Sequence, residues 1–183
     1  MVDIVITRIS KCFALPALLL LANSPVHAID GFGIEVGSGP ESTEMSRIHA
    51  KWDWEKKWFE EGNWHVSGYW EATLGRWNGG GQGSTKPWDI GITPVFRLQR
   101  NDRKTGVYLE GGIGAHLLSE DRTNKGRLFG GHFNFGDHIG FGVVFGKRAQ
   151  YDFGFRVQHL SNANINNPND GITFDEVRFT YSF

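Results

Sequence analysis

The chain has 183 residues, with 19 Lys+Arg against 20 Asp+Glu and a formal net charge of -1. That balance gives no electrostatic basis for binding nucleic acid, and a single cysteine, Cys12, excludes a disulfide framework. With 7 Trp, 14 Phe and 25 Gly and no long stretch of helical period, strand and turn formers dominate, and an all-β protein is expected.

Residues 1–28 place Arg8 and Lys11 before or at the edge of an apolar run, Cys12 to Ala22, which is followed by Val26-His27-Ala28. This is the pattern of a secretory signal peptide, and the run is too short to cross a bilayer as a helix. Cleavage before Ile29 removes Cys12 and leaves one domain, residues 29–183.

Period-two alternation predicts eight strands, near 31–39, 45–55, 63–76, 87–101, 105–118, 132–146, 150–162 and 172–183. In the second, Ile48, Ala50, Trp52 and Trp54 share one face and Arg47, His49, Lys51 and Asp53 the other. The third sets Trp64, Val66, Trp70 and Leu74 against His65, Ser67, Tyr69, Glu71 and Thr73. Strands four and five repeat the pattern. In the sixth, Gly136-Asp137-His138 reads as either a bulge or a turn that divides the strand. His132, Asp137 and His138 lack the spacing of a metal site, so the two histidines are expected in a turn or at a rim.

Long strands, an export signal and a terminal Phe179-Thr180-Tyr181-Ser182-Phe183 indicate an eight-stranded antiparallel transmembrane β-barrel in the Gram-negative outer membrane. Its apolar face meets lipid and its charged face lines the interior. Eight strands enclose room only for side chains, so Glu71, Arg97, Glu110, Arg156, Glu176 and Arg178 are expected to fill the lumen as an ionic plug. Trp52, Trp54, Trp64, Trp70 and Trp88 suit an aromatic girdle, and His49, His65 and His116 an interior network.

The seventh strand turns Phe153, Phe155, Val157, His159 and Ser161 outward. Residues two apart on a strand are about 7 Å apart at Cα, so an imidazole can lean toward the serine hydroxyl. The eighth turns Thr173, Asp175 and Val177 outward and Glu176 and Arg178 inward. One hairpin register sets Thr173 opposite Ser161 and Asp175 opposite His159, which assembles a nucleophile, a base and an acid at the extracellular rim. The alternative is an interfacial girdle in which polar residues replace hydrophobes as the strand leaves the membrane.

The segment His159-Leu160-Ser161-Asn162-Ala163, followed by Pro168-Asn169-Asp170-Gly171-Ile172, resembles the PagL family of lipid A 3-O-deacylases. The resemblance implies an eight-stranded outer-membrane barrel that hydrolyses the 3-linked acyl ester of lipid A. It assigns His159 as general base and Ser161 as nucleophile, and links Asn162 to the oxyanion hole. The family typically carries Glu where this chain has Thr173, and a threonine hydroxyl cannot balance an imidazolium. Asp175 is the expected acid by register, with Thr173 and Glu176 as neighbouring candidates and Asp170 as a turn residue. No cofactor or metal is expected. The expected partners are lipid A and the outer membrane, and a homodimer is left open. The competing functions are a non-catalytic structural or adhesion barrel, and a phospholipase or general acyl esterase.

Overall fold

The computed structural model describes residues 28–102 and 104–183. The signal-peptide expectation, Ala28 apart, lies outside the described residues. In chain order the elements are β1 (Gly31–Ser38), a 3-10 turn (Pro40–Ser42), β2 (Glu44–Asp53), β3 (Trp64–Asn78), β4 (Trp88–Arg100) and β5 (Gly106–Leu118). A small hairpin, β6 (Arg122–Asn124) and β7 (Arg127–Leu128), then precedes β8 (Phe133–Phe145), β9 (Tyr151–Ser161) and β10 (Ile172–Ser182).

Eight strands close a barrel in the order β1-β10-β9-β8-β5-β4-β3-β2, every pair antiparallel. The seam is β1 against β10, running in register from Gly31↔Ser182 to Ser38↔Asp175. Closure leaves no unpaired strand edge in the hydrocarbon, where free N–H and C=O groups would cost several kcal/mol each. The outer wall is apolar, with Ile139 71% and Ile113 65% exposed. At the end opposite the long loops, Trp54 packs edge-on against Trp58, Trp70 and Phe96.

β8 runs without interruption, and its register with β5 and β9 is continuous through Gly136-Asp137-His138. Neither a bulge nor a turn divides it. Gly136 faces the lumen, where a Cβ would lie 2.6 Å from the His116 ring, so the glycine makes space for an interior imidazole. His138 consequently sits inside the wall, 7% exposed, rather than in a turn or at a rim as its sequence context suggested.

Side chains fill the lumen. Arg156 and Arg178 each bridge Glu71 and Glu110, and Arg97 bridges Glu110 and Asp152. Arg47 reaches Glu35 at 3.1 Å, Asp89 at 2.8 Å and Glu176 at 3.6 Å. Above this ionic layer, Met45, Trp77, Leu118, Phe129, Leu160, Ile172 and Phe174 form an apolar cluster at the loop-bearing end. Trp77 meets Phe174 at a centroid distance of 4.9 Å and Phe129 at 6.2 Å. Reconstitution in planar bilayers is expected to give no steady single-channel conductance, and ohmic steps would contradict a filled lumen.

Candidate active site

β9 delivers both candidate side chains, His159 and Ser161, to the outer wall at its loop-bearing end. Gln158, Leu160 and Asn162 are buried, whereas His159 and Ser161 are partly exposed on the opposite face. The alternation follows from the pleat, which turns successive side chains to opposite sides. Leu160 anchors the segment from within as part of the apolar cluster.

The pairing of β9 with β10 differs from the sequence-based register by two residues. Thr173 lies opposite His159, Ile172 opposite Leu160, and Asp175 opposite Val157. Asp175 remains on the outer face but is displaced along the strand from the imidazole, so the register that made it the acid does not occur. Glu176 is fully buried in the lumen. Thr173 is the residue the fold joins to the histidine, with His159 Nδ1 and Thr173 Oγ1 2.9 Å apart.

That contact orients the ring. A Cβ at Gly171 would lie 2.8 Å from His159 Cε1 and 3.1 Å from Nε2, so this edge of the imidazole leans over Gly171, at the mouth of the 162–171 loop. Nδ1 is thereby engaged with β10, while Nε2 points toward the rim where Ser161 ends β9. A threonine oxygen that accepts from Nδ1–H leaves a lone pair on Nε2, the tautomer a general base requires. Ser161 and His159 make no direct hydrogen bond in this resting geometry, a contact that commonly tightens only when substrate binds.

Gly171 has φ +61, a left-handed conformation that disfavours a side chain, and it also meets the ring. Gly171→Ala is therefore expected to displace the imidazole and lower kcat roughly 100-fold, since about 1 Å of misplacement costs that much. Steady-state kinetics, with the heat-modifiable shift on gels as a fold control, provide the check.

Asn162, which the resemblance links to the oxyanion hole, has its donors engaged within the fold. Its side-chain amide donates to the carbonyls of Phe129 at 2.5 Å and Asn166 at 2.9 Å, while its backbone N–H donates to Asn169 Oδ1 at 3.0 Å. These donors hold the loop to the strand end. Ala163 and Asn164 follow at φ 52 and 60, closed by Ile165 N–H donating to Asn162 O at 3.1 Å, as in a type I′ turn. Among the described residues no acceptor takes the N–H of Ala163 or Asn164.

The β6–β7 hairpin braces the other side of the loop. Arg127 donates to the Gly171 carbonyl and pairs with Glu41 at 2.8 Å, and Asp170 exchanges bonds with the Leu128 backbone at 2.7 and 3.0 Å. Asp170 is thus a turn and docking residue. On β8, Asp137 lies opposite His159 and Phe135 opposite Ser161. Sequence reading weighed Asp137 only as a bulge, turn or metal-site residue, although its place as a charge in an otherwise apolar outward row was a usable signal for a further role. The buried trio Glu35, His49 and Glu71 has metal-like spacing, but Arg47, Arg156 and Arg178 already pair with its carboxylates, which disfavours a further cation.

Residues 45–182 match the model of the family described as Lipid A 3-O-deacylase (PagL). The chain belongs to the PagL family. It is 33% identical to the lipid A deacylase PagL of Pseudomonas aeruginosa over 162 residues, which cover 86% of this chain and 91% of that protein. The lipid A deacylase PagL of Bordetella bronchiseptica is 35% identical over 107 residues, 58% of this chain and 57% of the relative. The crystal structure of the outer-membrane enzyme PagL superposes with a TM-score of 0.76 at 30% identity, covering 84% of this chain and 99% of that one. The protein is therefore a PagL-type outer-membrane β-barrel enzyme of the lipid A 3-O-deacylase class.

Proposed function

We propose that this PagL member cleaves the 3-linked acyl ester of lipid A by a serine-esterase mechanism centred on Ser161 and His159. The observation that supports it most directly is the imidazole itself, outward at the rim, with Nδ1 held by Thr173 and Nε2 toward the strand end that carries Ser161. Ser161 Oγ attacks the ester carbonyl as Nε2 takes its proton. The tetrahedral intermediate then collapses, His159 returns the proton to the departing sugar oxygen, and an acyl-serine remains. Water, deprotonated by the same nitrogen, hydrolyses that ester, releases the β-hydroxy acid and restores the serine.

The open N–H groups of Ala163 and Asn164, two and three residues beyond the nucleophile, are the donors we assign to the oxyanion. Asn162 positions them. Placement at the edge of the apolar wall brings the site to the ester without extracting the lipid from its leaflet. Every residue invoked belongs to one chain, so the homodimer left open by the sequence is not required.

Purified protein in detergent is expected to release the 3-linked β-hydroxyacyl chain from lipid A, read by mass spectrometry, and to leave phospholipids intact. Equal turnover of phospholipids would favour a general acyl esterase. Turnover of neither would favour a structural barrel.

A further inference from the structure

The mechanism leaves one charge unaccounted for. When Nε2 takes the serine proton the ring becomes an imidazolium, and the group at Nδ1 is the neutral hydroxyl of Thr173. At a membrane boundary, where the effective dielectric is lower than in water, an unbalanced cation is disfavoured. Efficient catalysis calls for an anion near the ring.

His159 has a strand on each side. On β10 its direct partner is Thr173, while Asp175 stands opposite Val157, a diagonal offset of about 7–8 Å. On β8 its direct partner is Asp137, in a register that runs unshifted from Phe135↔Ser161 to Phe145↔Tyr151. Directly opposed residues have Cβ atoms about 4.5–5.5 Å apart. Asp137 is exposed on the outer face, between buried Gly136 and His138. The other outward positions of β8 are Phe133, Phe135, Ile139, Phe141, Val143 and Phe145, so Asp137 is the single charge in an apolar row. Among the described residues no cation or hydrogen-bond donor pairs with it. A carboxylate on a lipid-facing wall is costly, and no structural bond repays it.

We infer that Asp137 is the electrostatic partner of His159: the fold divides the usual acid's work between two strands, with Thr173 holding the ring from β10 and Asp137 supplying negative charge from β8. This rests on the Ser161–His159 reading. Asp137 acts through the imidazole and is a positioning residue. Asp175 lies diagonally on β10, Asp170 is docked to Leu128, and Arg127 is engaged with Glu41 and the Gly171 carbonyl, so Asp137 is the anion directly paired with the ring's own position.

The test uses the full barrel in detergent micelles with lipid A. D137N is expected to lower kcat roughly 10- to 100-fold with little change in KM, the range for a charge acting through space at an interface. D137E should recover most of the rate, D175N should stay within about threefold of the parent, and T173E should rescue D137N by returning a carboxylate from the other strand. Unchanged kcat in D137N, or a rate loss that neither D137E nor T173E relieves, would overturn the inference. Ser161→Ala separates the two levels: if it retains activity the serine mechanism fails whatever D137N does, and if it is inactive while D137N is normal, only the role of Asp137 fails.

Discussion

Ser161→Ala is expected to reduce release of the 3-linked acyl chain to the background of an unmodified membrane, a loss on the order of 10⁶ in kcat. The size follows from what disappears. Without Oγ there is no acyl-enzyme, and water would have to attack the ester directly in a site whose base is oriented toward a strand end. His159→Asn should cost nearly as much, and the double variant scarcely more, since nucleophile and base act as a unit. Mass spectrometry of lipid A after incubation with each variant reads the outcome. The fold is not at risk, because both side chains stand on the outer wall, partly exposed and outside the ionic and apolar layers of the lumen. A Ser161→Ala protein that still deacylates lipid A would require another nucleophile.

The second large effect concerns stability. Glu110→Ala is expected to destabilise the barrel by about 3–5 kcal/mol, the range for removing one partner of a buried ion pair. Glu110 accepts from Arg97 at 2.8 Å, Arg156 at 2.8 Å, Arg178 at 3.0 Å and Tyr69 Oη at 2.9 Å. Deleting it leaves those guanidinium groups 9% exposed or less, next to a cavity and with fewer anions. Glu110→Gln keeps the shape and two acceptor lone pairs but removes the charge, and should fall between parent and alanine. Urea unfolding of the refolded barrel, followed by tryptophan fluorescence and gel mobility, gives the difference. Loss of less than about 1 kcal/mol would mean that water replaces the carboxylate and that the lumen is wetter than its packing indicates.

These predictions draw on different layers of what the chain encodes. The alternation of Phe153, Phe155, Val157, His159 and Ser161 against Asp152, Arg156, Gln158 and Leu160 fixed which side chains face out, because the pleat has period two whatever the neighbours do. It also placed Glu71, Arg97, Glu110, Arg156, Glu176 and Arg178 in the lumen, where all are buried. The strand ranges were legible for the same reason, with polar and glycine-rich breaks such as 79–87 separating them.

Register was a different matter. Local turn chemistry sets the register of a two-residue hairpin, but ten residues, 162–171, connect β9 to β10, and no local rule fixes where pairing resumes. A shift of two residues preserves every in-or-out assignment, so alternation was blind to the difference between Asp175 and Thr173 opposite His159. The loop's own docking decides it, through Asn162 to Phe129 and Asn166, Asp170 to Leu128, and Arg127 to Gly171. The proximity of Asp137 likewise appears only when β8 and β9 are laid side by side. Sequence by itself determined the barrel, its two faces and the outward placement of His159 and Ser161, the pair we propose as base and nucleophile. Tertiary structure alone decided which groups stand beside the imidazole, because cross-strand neighbours depend on long-range pairing that no short stretch of chain contains.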